Sequence, residues 1–338
     1  MLSTRIGAGV AASAVAMAAG TATMQAALSA PSGDAPYHPA VAEEVEVTIL
    51  SSNLASAVTV GEWGLSALVR ADGRCVLFDA GRNPDTVLFN ARALDVDLSC
   101  VTDVVLSHFH FDHTTGLLPL IRDLRAQNPD AIRRVHVGDG FFLPRRWPDV
   151  SGDDEMNQMI ALRDTLAAAG VEIIEHDGPA EIVPSVWVTG PIERRHSEKN
   201  YPTAVRVQMD DDWVEDYVPD SQGVTIVTEE GHVVLLGCGH AGAVNALDHI
   251  RDTIADLPIH ALMGGLHLFA ASDEVLGWTA DRLRAIGVEH LMAGHCTGIE
   301  PLIRLRTGLN LDRETAVVGA VGSRFVYGEG IHPTAIAW

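Results

Sequence analysis

Apolar and polar residues change rhythm many times along this chain, and each change marks an element. Glu46-Val47-Thr48-Ile49-Leu50 alternates with the period of two expected of a strand. Leu65–Val69 and Cys75–Phe78 flank Ala71-Asp72-Gly73-Arg74, whose Asp-Gly pair predicts a hairpin turn. Asn83–Leu94 reads as a helix, Asp103-Val104-Val105-Leu106 as a buried strand and Leu117–Leu124 as a helix. Arg134-Val135-His136-Val137 reads as a strand. Glu155–Ala169 spaces Met156, Met159, Ile160, Leu162 and Leu166 at helical intervals and stops at Gly170; a strand begins at Val171. Val224–Thr228 and Val233–Leu236 are apolar strands joined through Glu230-Gly231. A helix at Val244–Ile254, a strand at Ile259–Met263, a helix at Glu274–Ile286 and a strand at His290–Ala293 follow. A short helix near Pro301 and a last strand, Ala316–Val321, close the pattern. Strands alternating with helices predict an α/β fold.

The two least regular regions are at the start and near the middle. Residues 1–30 carry one charge, Arg5, then the Ala/Val/Met-rich run Ile6–Ala19, then small residues. This is the pattern of a secretory signal peptide, on the general route because a twin arginine is absent, with cleavage expected after Ala22, Ala26 or Ser29. The competing reading is a disordered cytosolic extension or a misassigned start. The run is too rich in Ala and Gly for a stable membrane anchor. Residues 31–44 read as a linker and 45–338 as a single domain, placed in the periplasm or outside the cell, or in the cytoplasm if the leader reading fails. Glu193–Asp220 holds His196, Lys199, Tyr201, Trp213, Tyr217 and the acidic run Asp210-Asp211-Asp212, which reads as a lid over a substrate or as a solvated excursion.

Charge narrows the partners. With 23 basic against 45 acidic residues the net charge is -22, which repels nucleic acid, and no basic membrane patch is visible. A small-molecule substrate is the expected partner. The cysteines Cys75, Cys100, Cys238 and Cys296 form no CxxC pair, so each reads as a small buried residue. A Cys75–Cys100 disulfide in an oxidising compartment is kept open.

The densest chemistry is Ser107-His108-Phe109-His110-Phe111-Asp112-His113, directly after a buried strand. The competing reading, a histidine-rich surface loop, leaves four ligand-type side chains crowded together with no cation to hold them. His108 and His110 are two apart, so an extended loop points both rings to one side, while Asp112 and His113 start the next turn. Three later strand ends each deliver a histidine beside glycine: His240, His267 and His295. Adjacent strands lie about 4.8 Å apart, so these rings can converge. Neutral imidazoles with a carboxylate suit Zn²⁺ best, one ion or two, with Fe or Mn²⁺ as alternatives, and bound water can then ionise near neutral pH. Asp79, ending a strand before Ala80-Gly81, is either a turn residue or a carboxylate that orients a ligand histidine. His136 reads as structural. Gly237–Gly242 spells GxGxxG, but the next strand ends Met263-Gly264-Gly265 with no acid for a ribose, which counts against a dinucleotide site.

The HxHxDH pattern, with Asp79 before it and glycine-flanked histidines after it, resembles the metallo-β-lactamase superfamily over roughly Val45–Val321. EWGLS (Glu62–Ser66), LFDAG (Leu77–Gly81), SHFHFDHTTGL, GCGHAGAVN (Gly237–Asn245), GGLHL (Gly264–Leu268) and GHCTG (Gly294–Gly298) are similar to one branch of it. That branch includes 7,8-dihydropterin-6-methyl-4-(β-D-ribofuranosyl)aminobenzene 5′-phosphate synthases and many uncharacterised hydrolases. The resemblance implies an αββα sandwich of two mixed sheets with metals at the sheet edge. It implies that His108, His110 and His240 hold a first metal, that Asp112, His113 and His295 hold a second, and that Asp79 supports them. The superfamily usually sets a bridging aspartate, or sometimes a cysteine, on the strand between the last two histidines. Here that strand ends in GGLHL, so His267 substitutes as a metal or substrate contact or the bridge is absent. With one metal, Asp112 becomes the catalytic general base. The expected activity is hydrolysis of an ester, lactone, amide or phosphoester by metal-bound hydroxide. The alternatives are a pterin-type synthase and a non-catalytic metal-binding protein.

Overall fold

The computed structural model describes residues 39–148, 155–201 and 204–338. The signal segment lies outside the described residues. So do residues 31–38 of the linker. Its other end is not a free tether: Ala42 is buried and its N–H donates to the Val227 carbonyl at 2.8 Å.

Three antiparallel strands open the fold: β1 (Val45–Ser51), β2 (Ser66–Ala71) and β3 (Arg74–Phe78). Asp72 and Gly73 turn between the last two with φ of 46° and 76°, as a two-residue hairpin turn requires. Helix α1 (Thr86–Ala93) then crosses to β4 (Val101–Val105), which runs parallel to β3. The short α2 (Phe111–Thr114) and α3 (Leu117–Gln127) lead to β5 (Arg134–Gly138). The two-residue β6 (Arg145–Arg146), α4 (Gln158–Ala168) and β7 (Glu172–His176) follow. Two hairpins come next, β8 (Ala180–Val183) with β9 (Val186–Val188), and β10 (Arg206–Met209) with β11 (Asp212–Glu215). The second half contains β12 (Gly223–Thr228), β13 (Gly231–Leu236), α5 (Ala243–Thr253), β14 (Ile259–Gly264), α6 (Asp273–Ile286), β15 (His290–Ala293), α7 (Ile299–Gly308) and β16 (Ala316–Val318). The strand expected to run to Val321 stops at Val318. The chain then returns to the first sheet as β17 (Arg324–Val326) and β18 (Gly330–His332), with β17 pairing antiparallel to β1.

Two mixed sheets result, ordered β18-β17-β1-β2-β3-β4-β5-β7 and β16-β15-β14-β13-β12-β9-β8. Alternation along their strands explains the four layers. Val76, Phe78 and Val105 face the space between the sheets, where they meet Val233, Leu235, Met263 and Met292. Leu77 and Val104 point the other way, onto α1, α3 and α4. Val234, Leu236 and Leu262 likewise point onto α5, α6 and α7. Strands buried on both faces need apolar residues at every position, hence the unbroken apolar runs. The order helix–sheet–sheet–helix is the αββα sandwich that the resemblance implied.

Two expectations are corrected. Cys75 and Cys100 are joined in a disulfide with Cα atoms 5.6 Å apart. The cause is the register that pairs Cys75 with Val101 and so brings the neighbouring Cys100 alongside. Within the irregular stretch Glu193–Asp220 a hairpin is found where none was expected: Asp210-Asp211 turns between β10 and β11, and β6 pairs with β10 as the third strand of that small sheet.

Candidate metal centre

Every candidate ligand sits just beyond the C-terminal end of a strand. Asp79 follows β3, the SHFHFDH loop follows β4, His240 follows β13, His267 follows β14 and His295 follows β15. Pairing is parallel between β3 and β4 and among β13, β14 and β15, so these ends lie along one edge of each sheet. Glycine lets the edges meet. A Cβ on Gly237 would stand 1.9 Å from Ser107 Oγ and 2.9 Å from Asp79 Oδ2. Asp79, His267 and His295 all adopt left-handed backbone, with φ of 57°, 48° and 50°. That conformation costs a non-glycine residue about 1–3 kcal/mol, and such outliers gather at functional sites.

In the first group, His110 Nδ1 lies 2.9 Å from His108 Nε2 and 3.2 Å from His240 Nε2. The opposite ring nitrogens are tied down. Ser107 Oγ has one proton and gives it to Asp79 Oδ2 at 2.8 Å, so it accepts from His108 Nδ1 at 2.9 Å. His240 Nδ1 donates to the Asn200 carbonyl. These tautomers, assigned from the hydrogen-bond partners, turn the Nε2 lone pairs of His108 and His240 toward His110. Burial, reinforced by the neighbouring imidazoles, holds His108 and His240 well below the usual histidine range. Burial also brings His110 down to about 3. Three uncharged rings facing one another at these distances fit a single cation bound by nitrogen.

The second group holds Asp112, His113 and His295. Asp112 Oδ2 lies 3.6 Å from His113 Nε2 and 3.3 Å from His295 Nε2. His295 is buried, yet neither of its ring nitrogens has an aligned hydrogen-bond partner. It and Asp112 are close without an aligned bond between them, as two ligands aimed at a third body are. Burial raises the Asp112 carboxyl, but the neighbouring His113 and His295 outweigh it and hold the group below the usual carboxylate range. Burial lowers His113, but Asp79 and Asp112 more than offset this and raise it to about 9. The proton favoured at His113 Nε2 stands where a cation would compete for the same lone pair. The donor set therefore fits a divalent cation in both groups.

Asp79 is no mere turn residue. Its Oδ1 accepts from the Ser107 N–H at 2.7 Å and its Oδ2 accepts from Ser107 Oγ and, at 2.6 Å, from His113 Nδ1. Asp112 lies among the nitrogens as a ligand-type group. His267 sits beside His240, ring centroids 4.5 Å apart, with its Nδ1 buried and unpartnered. It also lines a cavity of about 710 Å³ with Lys199, Tyr201, Phe269, Glu274 and Trp278. His136 bonds Asp103 and His176 and joins neither group, so it is structural.

Several functional positions escaped the sequence. Cys238, read as a packed thiol, places Sγ 3.1 Å from His113 Nε2. Asp220 Oδ2 accepts from the Phe109 N–H at 2.8 Å and its Oδ1 pairs with the fully buried Arg145, bracing the histidine loop from behind. Glu62 accepts from Ser51 Oγ and from the N–H groups of Arg82 and Asn83, fixing the loop after Gly81. The EWGLS and GCGH motifs signalled Glu62 and Cys238 without giving their partners. Nothing local signalled Asp220, whose contact spans 111 positions.

Residues 64–188 match the family model of the metallo-β-lactamase superfamily. A 7,8-dihydropterin-6-methyl-4-(β-D-ribofuranosyl)-aminobenzene-5′-phosphate synthase from Methanocaldococcus jannaschii is 27% identical over 250 residues, 70% of this chain and 81% of that protein. The crystal structure of Tm1679, described as a metal-dependent hydrolase of the β-lactamase superfamily, superposes with a TM-score of 0.63 at 25% identity, covering 79% of this chain and 94% of that one. The metallo-β-lactamase fold protein YhfI from Bacillus subtilis superposes at 0.51 with 14% identity over 84% of this chain and all of that one, a likeness of fold. The chain thus carries a metallo-β-lactamase superfamily match over residues 64–188, and over most of its length it is similar to the ribofuranosylaminobenzene phosphate synthase and to a metal-dependent hydrolase of the β-lactamase superfamily.

Proposed function

We propose that this protein is a metal-dependent hydrolase of a small ester, lactone, amide or phosphoester. The observation that carries the reading is the set of inward-facing ring nitrogens on His108, His110 and His240 beside Asp112, His113 and His295, each group tight enough to share one cation. His108, His110 and His240 would hold the first ion, and Asp112, His113 and His295 the second. Zinc suits the nitrogen donors best. Such an ion supplies Lewis acidity toward the electrophile and lowers the pKa of water. The protein's share is positioning: Asp79, Ser107 and the Asn200 carbonyl fix which nitrogen of His108, His113 and His240 faces inward. His267, on the cavity side, is placed to contact substrate.

The cavity suggests what enters. Tyr201, Phe269 and Trp278 give it apolar walls, and Lys199 is the only lysine of the 338 residues. No ion-pair partner holds Lys199 among the described residues. The Lys199 ammonium, set at the cavity beside Glu198 and Glu274, offers one contact for an anionic group on a substrate with an apolar body. Export to the periplasm or beyond is part of the proposal, supported by the leader pattern and by the Cys75–Cys100 disulfide.

The likeness to the synthase supports a second reading, a transferase that joins two substrates without net hydrolysis. Elemental analysis of the purified protein, with a panel of lactones, esters, phosphodiesters and a pterin plus ribosyl-phosphate pair, separates the two. Metal with turnover of the panel's hydrolysable substrates is expected. Turnover of the pterin pair alone would favour the synthase, and metal without any turnover a non-catalytic protein. Hydrolysis and metal content unchanged in His110→Ala would refute the site.

A further inference from the structure

We propose that the Cys238 thiolate is a metal ligand, the second anionic donor of the Asp112–His113–His295 centre. It takes the place of the acid missing from the end of β14. The proposal deepens the metal-dependent reading above and rests on it.

Cys238 leaves β13 two residues before His240, so its ligand arm comes from a different strand end than the one where an acid was sought. Its Sγ, the Asp112 carboxylate and the ring nitrogens of His113 and His295 all lie within 4.8 Å of one another. Cys238 also groups with His240 and His267, so among the described residues it is the ligand-type side chain common to a group of the second centre and one that holds a ligand of the first. His295 supplies an independent sign that this space is meant for a ligand-bound body: it is 3% exposed, and both ring nitrogens lack an aligned partner.

Just past β14, at Gly265, a side chain of any kind is sterically shut out. A Cβ at Gly265 would stand 2.1 Å from the Gly237 carbonyl oxygen and 2.8 Å from Cys296 Sγ. The Gly237 position is closed by Ser107 in the same way. Cys238 is the side chain on this edge that reaches the gap. The competing explanation is a thiol buried as a small hydrophobe. Yet Cys238, at 4% exposure, belongs to none of the three apolar clusters, whereas Cys75 belongs to one. Its polar surroundings are imidazole, carboxylate and the Cys296 thiol, which is in no such ligand group among the described residues.

On binding, the thiol releases one proton to solvent and a sulfur–metal bond forms; no electron is transferred. A thiolate donor makes the second centre favour zinc, cobalt or iron over Mn²⁺ or Mg²⁺.

The test loads the full chain with cobalt(II) and reads absorption. The wild type and Cys296→Ala should show a sulfur-to-cobalt charge-transfer band in the near ultraviolet. Cys238→Ser and Cys238→Ala should lose it while keeping the visible d–d bands of the nitrogen and oxygen donors. X-ray absorption of the zinc-loaded wild type needs no variant and should show sulfur at about 2.3 Å. Cobalt bound with d–d bands but no charge-transfer band, a band that follows Cys296 instead, or a zinc shell of nitrogen and oxygen alone would overturn the proposal and leave the metal-dependent reading standing. No cobalt or zinc uptake at all would overturn both.

Discussion

Asp79→Asn tests how the two centres are wired together, because the change swaps one oxygen for a donor and alters little else. The wild-type carboxylate only accepts: from the Ser107 N–H at 2.7 Å, from Ser107 Oγ at 2.8 Å and from His113 Nδ1 at 2.6 Å. In the variant the amide oxygen must face the Ser107 N–H, since the other orientation sets two donors against each other. The new NH₂ then points at Ser107 Oγ and His113 Nδ1. His113 must accept at Nδ1 and carry its proton on Nε2, the atom that faces Asp112. Ser107 Oγ, now accepting from the introduced amide, is left to donate into His108 Nδ1, which moves that ring's proton to Nε2 as well. One ligand in each group is thereby blocked. Losing such support costs about 10–100-fold in metal affinity, or about 1.4–2.8 kcal/mol per centre. Ser107→Ala is the control: it removes the anchor of His108 but leaves Asp79 to hold His113, so only the first centre should weaken. Zinc retention against a graded chelator, read by elemental analysis, measures both. Asp79→Asn holding zinc as tightly as the wild type, or Ser107→Ala weakening both centres equally, would refute the tautomer argument.

Other outcomes follow from parts of the molecule farther out. Lys199→Ala should raise KM about fivefold at most for a carboxylate-bearing ester, since an exposed charge contributes no more than about 1 kcal/mol, and should leave a neutral analogue unchanged; equal effects on both would remove Lys199 from substrate binding. Burial, with His136 alongside, lowers His176 to about 4. The unfolded chain then binds the extra proton between about 4 and the ordinary value of 6.5, so stability is full above that window and falls as pH drops through it. His176→Gln should flatten this part of the profile in urea unfolding at about pH 7 and about pH 4.5, on either side of most of that window; an unchanged slope would show that His176 does not supply it. Phe78→Ala removes a fully buried ring from between the sheets and should cost about 3–5 kcal/mol in the same assay.

What the sequence could disclose follows from where each residue's reasons lie. Strands such as β4 and β13 are buried on both faces, so their apolar runs announce them at every position. The turn at Asp72-Gly73 is decided by two adjacent residues and was legible for that reason. The strands that went unseen, β6, β8 through β11, β17 and β18, are two to four residues long and half-exposed in large part. Their existence depends on partners elsewhere, as β17 depends on β1 some 278 positions away. The disulfide was equally remote from local pattern: only the β3–β4 register brings Cys100 beside Cys75.

The candidate ligands show the same division. Histidines and an aspartate crowded into seven residues are visible because their chemistry has no comfortable use without a cation. The groups that aim them are not visible, because serving a ring nitrogen needs only an oxygen at the right place. The Asn200 carbonyl that holds His240 would be present with any residue at 200, and so no motif could point to it. Asp220 braces Phe109 across a long loop and through Arg145, an arrangement that exists only once both sheets have formed. Cys238 is the intermediate case. It stands in a visible motif, but a cysteine has a ready apolar explanation, and the missing acid drew attention to β14 instead. The strand ends converge, so a donor lost from one can be supplied by its neighbour. Comparing donors strand by strand therefore misses a substitution that the edge of the sheet, taken as a whole, makes available.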